Sequence, residues 1–457
     1  MTRPGGPGSA RATIAAVADT FTEFRGEAGD AGAAGRALDD GPLGWDGYGE
    51  ARARAMARTG ERESVVCGVG RVGESEAVLI AFEFDFLGGS LGGRTGDLLE
   101  EAHTRARDLS LPVVSLIATG GSRMQEGMRA LSQLQRIARQ SARTRAAGLA
   151  QIAVLRDPAT GGGWATLGAG ADVLLALPGA QIGFAGSRVR PPGADPRAYT
   201  AEGQLAAGHI DAVVPEPELR TALGRWLSLL TRPATGPAQP PAALGRAGLP
   251  DSGWAAVQQA RAEDRPRADA YLDAHFTARA ELSGDRCGGV DPGVRCGFGE
   301  RSGRTVAFAA QLGTPTRPAG FRTVTRLLRL AGRLGTPVLT LVDTPGAAND
   351  AAAEREGAGA AIAECFAAVA ESPVPVTTLV IGQGGSGGAL ALASPGRTWL
   401  TPDSYFSVIG PEWAASILKR GPGEVQRTAN ELRVRPQDLV ALGAAEGIVG
   451  NRPPGIA

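Results

Sequence analysis

The chain is 457 residues long, and its 47 basic and 47 acidic side chains leave no net charge at pH 7. Because an even balance creates no field toward polyanions, we expect a protein that binds neither nucleic acid nor a membrane surface. No apolar run approaches the ~18 residues of a membrane span, and the N-terminus lacks the apolar stretch of a signal peptide. The four cysteines form no CxxC pair, which argues against a disulfide scaffold or a structural zinc site. We therefore expect a globular, cytoplasmic protein.

The order of the predicted elements indicates two α/β domains. Residues 1–58 are rich in Gly, Ala and Arg with weak periodicity, and we predict a variable N-terminal segment. Over residues 59–235, apolar runs of strand length alternate with helical stretches, as in β/α units with buried strands. A Pro-rich stretch predicts a linker over residues 236–254. The β/α alternation resumes in the second predicted domain, residues 255–457.

The two halves repeat each other. Pro112 in LPVVSLIATGG precedes Pro337 in TPVLTLVDTPG by 225 residues (337 − 112 = 225). The same offset relates the glycines of DPATGGGWA to those of GQGGSGGALA, and the strand QIAVL to VTTLV. A repeat of this length predicts an internal duplication of a whole domain.

Glycine clusters mark four predicted strand-to-helix junctions. They are Gly120-Gly121, Gly161-Gly162-Gly163, Pro345-Gly346 and Gly384-Gly385-Ser386-Gly387-Gly388. Glycine lets the backbone bend sharply and lets a ligand approach the main chain. A helix that begins at such a turn has unpaired N–H groups, which bind a phosphate or a developing oxyanion. Tight packing of helix on strand is the alternative that this pattern leaves open.

Other catalytic motifs fit the sequence poorly. The nucleoside triphosphate loop GxxxxGK[ST] is absent, and the last glycine cluster lacks the spacing of a dinucleotide site. Gly-x-Ser-x-Gly occurs around Ser90 and Ser386, but the histidines lie at 103, 209 and 275, so none follows Ser386. A glycine-rich chain readily yields the match at Ser90 by chance. The chemistry would then rest on backbone donors that stabilise an enolate or a tetrahedral oxyanion.

Long motifs in both halves resemble one enzyme family. The first half contains FEFDFLGGSLGG from Phe82, ATGGSRMQEGMRALSQLQ from Ala118, LRDPATGGG from Leu155, GAQIGFAGSRV from Gly179 and GHIDAVV from Gly208. The second half contains RPRADAYLDAHF, ELSGDR, VDTPGA, AEREG, VIGQGGSGGALA, YFSVIGPE and ASILK. These motifs resemble the β and then the α subunit of the carboxyltransferase component of bacterial acetyl-CoA carboxylase. The resemblance implies a fused β–α carboxyltransferase with two tandem crotonase-like domains, each a ββα superhelix.

The resemblance also implies a reaction, in which a carboxyl group moves from carboxybiotin to the α-carbon of an acyl-CoA such as acetyl-CoA. Two oxyanion holes in this family consist of backbone amides, one in each half. Carried over, Gly120 and Gly121 would hold the acyl thioester oxygen. Gly387, Gly388 and Ala389 would hold the ureido oxygen of biotin. Biotin, after releasing CO2, would take the α-proton, so no side-chain base is needed.

Substrate contacts and partners follow from the same resemblance. The expected substrate-binding residues are Gly88, Gly89, Ser90, Gly161, Gly162, Trp164, Arg188, Gly346, Gly384, Gly385 and Lys419. Biotin is expected on a biotin carboxyl carrier protein served by a biotin carboxylase. The family's site lies between domains of different protomers, which implies a homodimer or a larger homo-oligomer. The family's four-cysteine zinc ribbon has no counterpart before Cys67, so zinc is not expected.

Three residues near the glycine clusters depart from the family's pattern. Trp164 stands where a small residue is usual, Trp413 follows Pro-Glu where glycine is usual, and Gln383 replaces a glutamate. The tryptophans either pack in the fold or reshape the acyl pocket and obstruct biotin. Two other functions therefore stay open. One is a biotin-independent crotonase-like decarboxylase of a malonyl-type thioester, and the other is a non-catalytic scaffold that binds acyl-CoA.

Overall fold

The computed structural model describes residues 8–24 and 39–450, the side chain of Pro422 excepted. The chain divides into two compact units between Thr231 and Arg232. Each unit is built on one eight-stranded sheet.

The first unit contains strands β1 to β8 and helices α1 to α8. The strands are β1 Thr20–Glu23, β2 Val65–Val72, β3 Ser75–Phe82, β4 Val113–Thr119, β5 Gln151–Thr160, β6 Val173–Ala176, β7 Ile182–Gly183 and β8 Ala212–Val213. The helices are α1 Ala10–Val17, α2 Tyr48–Thr59, α3 Gly93–Leu109, α4 Met128–Leu131, α5 Gln133–Ala146, α6 Gly161–Gly163, α7 Ala201–Ala206 and α8 Glu216–Thr231. The strand order is β1-β2-β3-β4-β5-β6-β8, and β7 pairs with the end of β5.

The second unit contains strands β9 to β16 and helices α9 to α17. The strands are β9 Ala278–Leu282, β10 Val294–Arg301, β11 Arg304–Gln311, β12 Val338–Thr344, β13 Val376–Gly385, β14 Thr398–Leu400, β15 Tyr405–Ser407 and β16 Gly447–Ile448. The helices are α9 Gly253–Arg261, α10 Ala268–His275, α11 Pro318–Leu334, α12 Ala351–Arg355, α13 Ala358–Ala370, α14 Ser386–Leu390, α15 Pro411–Ile417, α16 Val425–Glu431 and α17 Pro436–Ala441. The strand order is β16-β14-β13-β12-β11-β10-β9, and β15 pairs with the end of β13.

In both sheets an antiparallel pair leads into parallel strands. The pairs β2–β3 and β10–β11 are antiparallel, whereas β3 to β6 and β11 to β14 run parallel. Every residue of the central strands β4 and β12 is buried. Parallel strands that are covered on both faces require such continuous burial, which explains their unbroken apolar runs. The crossover helices α3 and α11 connect the antiparallel pair to the central strand in each unit.

The predicted duplication is confirmed. Strands β4 and β5 and helix α3 recur as β12, β13 and α11, each with the same number of residues and 225 positions later (338 − 113 = 225). The equivalent turns at the carboxyl ends of the central strands therefore occupy equivalent places in the two units.

Two predicted segments contribute to these units. Within residues 1–58, α1 and β1 belong to the first unit, where β1 extends the sheet along β2, while residues 25–38 lie outside the described residues. The Pro-rich segment 236–254 packs on the second unit. Ala238 and Ala243 are buried there, and the N–H of Leu244 donates to the hydroxyl of Tyr271 at 3.1 Å.

Candidate active site

In the second unit, the loop after β12 and the start of α14 meet backbone to backbone. A Cβ on Gly385 would lie 2.0 Å from the carbonyl oxygen of Pro345. A Cβ on Gly388 would lie 2.2 Å from the nitrogen of Ala347. Gly346 adopts φ 146°, which a residue with a side chain rarely adopts. Close approach of two backbones therefore explains these glycines.

The first unit repeats this arrangement at its equivalent turns. A Cβ on Gly161 would lie 2.9 Å from the Cα of Gly121, and both residues have positive φ angles. The hydroxyl of Thr119 accepts the N–H of Gly121 at 3.1 Å, just as Thr344 accepts that of Gly346 at 3.1 Å in the second unit. The two units thus hold the same pair of turns in the same way.

The N–H groups of the predicted thioester site are already used within the first unit. Gly120 donates to the carbonyl oxygen of Gly88 at 2.9 Å, and Gly121 donates to Thr119. Across the turn, Gly162 and Gly163 occupy the first turn of α6, where an N–H has no intrahelical partner, and no side chain caps this helix. In the first unit, the N–H groups of Gly162 and Gly163 are therefore available, whereas those of Gly120 and Gly121 have partners within the fold.

The second unit presents matching donors at the start of α14. Gly387 and Gly388 lie 225 positions after Gly162 and Gly163, also in a first turn without a side-chain cap. Ala389, the third predicted donor, is the fourth residue of α14, where helix geometry directs its N–H to the carbonyl of Gly385. A Cβ on Gly387 would meet no atom within 4 Å, so this glycine faces open space.

A buried arginine, which the sequence analysis missed, supports the turn of the first unit. Arg123 is 1% exposed and forms ion pairs with Glu63 and Glu126. Its guanidinium also donates to both oxygens of Ser90, at 3.1 Å to Oγ and 2.8 Å to the carbonyl. Ser90 is therefore a structural anchor whose hydroxyl is engaged in the fold. The sequence signal for this cluster was the position of Arg123, two residues after Gly121.

The charges of this cluster shift the pKa values of its members. Burial raises the pKa of Tyr48 to about 12. The hydroxyl of Tyr48 donates to Glu126 at 2.6 Å. Burial also favours the protonated form of Glu126, but hydrogen bonds from Gly93 and Tyr48 and the charge of Arg123 outweigh it and lower the pKa of Glu126. Glu126 therefore stays ionised and holds the N-terminus of α3 at Gly93, at 2.6 Å.

In the second unit, buried charges brace the strand that leads into the glycine turn. Asp343 is fully buried, pairs with Arg265 at 2.7 Å and accepts the N–H of Gln383 at 3.0 Å. The side chain of Gln383 accepts hydrogen bonds from Arg261 at 3.1 Å and from the hydroxyl of Tyr405 at 3.3 Å. Gln383, the residue that departs from the family's pattern, is thus held from both sides.

Comparisons with known proteins agree with this architecture. A carboxyl transferase domain model matches residues 41–212, and an acetyl co-enzyme A carboxylase carboxyltransferase-like model matches residues 251–457. The acetyl-coenzyme A carboxylase carboxyl transferase subunits beta/alpha of Saccharopolyspora erythraea are 38% identical over 427 residues, 88% of this chain and 74% of that protein. The chain belongs to this carboxyl transferase family. A probable biotin-dependent acyl-coenzyme A carboxylase beta3 subunit of Mycobacterium bovis is 34% identical over 424 residues, 89% of this chain and 84% of that protein.

The fold of the carboxyl transferase also matches a solved relative. Transcarboxylase 12S, a hexamer crystallised with methylmalonyl-coenzyme A, has a TM-score of 0.77 over 97% of this chain and 86% of that chain, at 19% identity. The likeness confirms the predicted fold of two tandem crotonase-like α/β domains. Within the described part of the carboxyl transferase, no group of three or more His, Cys, Asp or Glu residues could hold a metal ion. Among the same residues, no helix has the length and apolarity to cross a bilayer.

The tryptophans that depart from the family's pattern have different surroundings. Trp164 is partly buried against the hydrophobic core of the first unit. Its ring covers Gly168, and a Cβ on Gly168 would lie 2.6 Å from that ring. Trp164 therefore packs within the first unit and keeps part of its side chain exposed. Trp413 is 68% exposed on α15, beside Gly410.

The remaining predicted substrate-binding residues divide into turn residues and exposed cations. Gly88 faces open space, whereas a Cβ on Gly89 would lie 2.1 Å from the carbonyl oxygen of Ala118. A Cβ on Gly384 would lie 2.6 Å from the ring of Phe406. Arg188 and Lys419 are exposed, Arg188 in the turn Ser187–Val189 and Lys419 just after α15.

A cavity of about 370 Å³ adjoins α14 in the second unit. Its walls are nearly all apolar and include Phe366 of α13, Leu390 of α14 and Phe406 of β15. Among the described residues, no charged side chain lines the cavity, so its walls favour a neutral, apolar group.

Proposed function

We propose that the chain transfers the carboxyl group of carboxybiotin to the α-carbon of an acyl-CoA, in the manner of acetyl-CoA carboxylase. The observation that carries this proposal is the pair of equivalent glycine turns, each with first-turn N–H groups that the fold leaves unpaired. Such fixed donors stabilise a negative oxygen because they need no reorganisation when charge develops. We assign residues 59–235 to a β-subunit-like part and residues 255–457 to an α-subunit-like part.

In the first unit, Gly162 and Gly163 donate to the thioester oxygen as the enolate forms. Their N–H groups have no intrahelical partner, whereas those of Gly120 and Gly121 are engaged. Gly120 joins the donors only by exchanging its bond to the carbonyl of Gly88 for one to the substrate. The positive φ of Gly121 and its contact with Gly161 make this turn the wall of the site.

In the second unit, Gly387 and Gly388 donate to the ureido oxygen of biotin. The open space at Gly387, which a Cβ would occupy, fits a ligand that lies against the backbone. Gly346 and Gly385 support the site by allowing the two turns to touch, and Gly384 supports it by allowing β15 to pack against the end of β13. Carboxybiotin supplies the carboxyl group and then the base for the α-proton, and the protein supplies the donors and their orientation.

The exposed cations serve the charged part of the substrate. Arg188 has no ion pair among the described residues, and we assign it and Lys419 to the phosphates of coenzyme A. Gly88, Gly89 and Trp164 shape the acyl side of the site.

The partners are a biotin carboxyl carrier protein, charged by a biotin carboxylase, and a second copy of the chain, in the cytoplasm. Phe184 and Val408 are each 74% exposed and directly follow β7 and β15, the strands that flank the glycine turns. Exposed apolar side chains at these equivalent places favour an interface that covers both turns.

Decarboxylation of malonyl-CoA tests the proposal. We expect turnover that depends on added free biotin and disappears in a Gly121→Val variant, because φ 111° at Gly121 excludes a β-branched residue. Equal turnover without biotin contradicts the proposal and supports the biotin-independent decarboxylase. Tight binding of coenzyme A esters without turnover supports the non-catalytic scaffold.

A further inference from the structure

The carboxamide of Gln311 reaches the second glycine turn from the end of β11. Gln311 is 0% exposed. Its Nε2 donates to the carbonyl oxygen of Gly388 at 3.1 Å and to the hydroxyl of Thr316 at 3.0 Å. In a continued α-helix, the N–H of Leu392 would donate to the carbonyl oxygen of Gly388, but here it donates to that of Ala389. The side chain of Gln311 replaces it as the donor to Gly388. A side chain 77 positions away in sequence therefore fixes the first turn of α14.

Thr316 connects the same carboxamide to the opposite turn. The N–H of Thr316 donates to the carbonyl of Gly346 at 3.0 Å, and its carbonyl accepts the N–H of Ala348 at 2.8 Å. Gln311 is thus linked to both backbones that meet at the site, directly to Gly388 and through Thr316 to Gly346. Loss of its donors would free the two turns to move relative to each other.

The fold itself does not need a glutamine at this place. The equivalent residue in the first unit is Phe82, the last residue of β3, which is also fully buried. The residues that precede Phe82 and Gln311 pair with residues of β4 and β12 that lie 225 positions apart. Phe82 and Gln311 therefore occupy equivalent places in the two sheets. The Oε1 of Gln311 has no hydrogen-bond partner, and a buried acceptor of this kind lowers stability. Its presence in the second unit alone points to a role beyond packing.

We propose that Gln311 is a positioning residue that orients the donors of the second glycine turn. It holds α14 through Gly388 so that the N–H groups of Gly387 and Gly388 keep one direction as charge develops on the bound oxygen. The inference rests on the proposed function for its effect on turnover, but its effect on α14 is independent of any ligand. Because Gln311 acts through the backbone, its removal weakens the donors without deleting them.

The test compares Gln311→Met with Gln437→Met. Methionine has a similar volume and no donor, so the core stays filled. Gln437 is the matched control, because its Nε2 also donates to a backbone carbonyl, that of Pro250 at 2.8 Å, and its Oε1 is also unpaired. Amide hydrogen exchange of residues 384–392, the unfolding midpoint, and the kcat and KM of biotin-dependent malonyl-CoA decarboxylation are measured for both.

In Gln311→Met we expect faster exchange confined to residues 384–392 and a kcat about tenfold lower at unchanged KM for malonyl-CoA. The unfolding midpoint should fall, because the buried carbonyl of Gly388 loses its donor. Gln437→Met should match the wild type. Unchanged exchange at α14, or unchanged kcat in an active enzyme, overturns the inference. If the wild type lacks biotin-dependent turnover, the proposed function fails, and the exchange measurement still decides whether Gln311 holds α14. Should Gln311→Met not fold, Thr316→Val replaces it, with the same exchange result expected.

Discussion

The contact between the two turns of the second unit makes a sharp prediction about adjacent glycines. Gly387 and Gly388 are neighbours in α14, yet a Cβ would find open space at Gly387 and a backbone nitrogen 2.2 Å away at Gly388. Gly387→Ala and Gly388→Ala are therefore chemically identical changes with opposite expected effects on stability.

The magnitudes follow from the contacts. Forcing a methyl group against a close-packed backbone costs about 3 kcal/mol, because neither the nitrogen of Ala347 nor the carbonyl carbon of Gly346, 2.6 Å away, can rotate aside. Replacing glycine by alanine within a helix stabilises the folded state by about 1 kcal/mol. We expect Gly388→Ala to lower the free energy of unfolding by about 2 kcal/mol and Gly387→Ala to raise it by about 1 kcal/mol.

Urea unfolding followed by circular dichroism measures both changes, and malonyl-CoA decarboxylation with free biotin measures function. The methyl group of Gly387→Ala occupies the space proposed for biotin, so this stable variant should lose about 100-fold in biotin-dependent turnover, as expected for a displacement of about 1 Å. A Gly388→Ala variant as stable as the wild type would refute the backbone contact. A fully active Gly387→Ala variant would refute the assignment of the open space.

Two further predictions concern buried charge in the first unit. Arg123→Met leaves Glu63 and Glu126 buried without their cation, so we expect the free energy of unfolding to fall by about 3–5 kcal/mol in urea titrations; a loss below about 1 kcal/mol would contradict the cluster. Burial, with a smaller effect of Arg107, lowers the pKa of His103 to about 4 from its ordinary value near 6.5. As the pH falls, the unfolded chain binds the proton before the folded chain does. The free energy of unfolding should therefore decrease by about 3 kcal/mol from pH 6.5 to pH 4. His103→Gln should remove this part of the pH dependence in unfolding titrations at both pH values.

The repeat in the sequence predicted the architecture because glycine and proline occupy positions that only the fold can explain. Gly121 and Gly346 lie at the equivalent turns with positive φ angles, and they keep the spacing of 225 residues (346 − 121 = 225). The offset of 225 therefore holds for strands β4 and β5 and for the crossover helix α3. The long motifs identified the family, and the family's fold followed from them.

The hydrogen-bond partners of the site could not be read in the same way. The sequence indicated free N–H groups at Gly120 and Gly121. In the structure, the carbonyl oxygen of Gly88, distant in sequence, accepts the first of them, and the hydroxyl of Thr119 accepts the second. The threonine two residues before the glycine in both halves was a signal that could have revealed one of these bonds. Gln311 gave a weaker signal, a single amide at the end of the apolar strand RTVAFAAQ. Contacts of this kind depend on residues that meet only in three dimensions.

Transfer of label from malonyl-CoA, carrying 13C in its free carboxyl group, to free biotin tests the central claim most directly. Mass spectrometry of the quenched reaction should detect carboxybiotin with the label, formed in the wild type and strongly reduced in Gly387→Ala. Labelled CO2 released at the same rate with and without biotin, with no labelled carboxybiotin, would contradict carboxyl transfer to biotin.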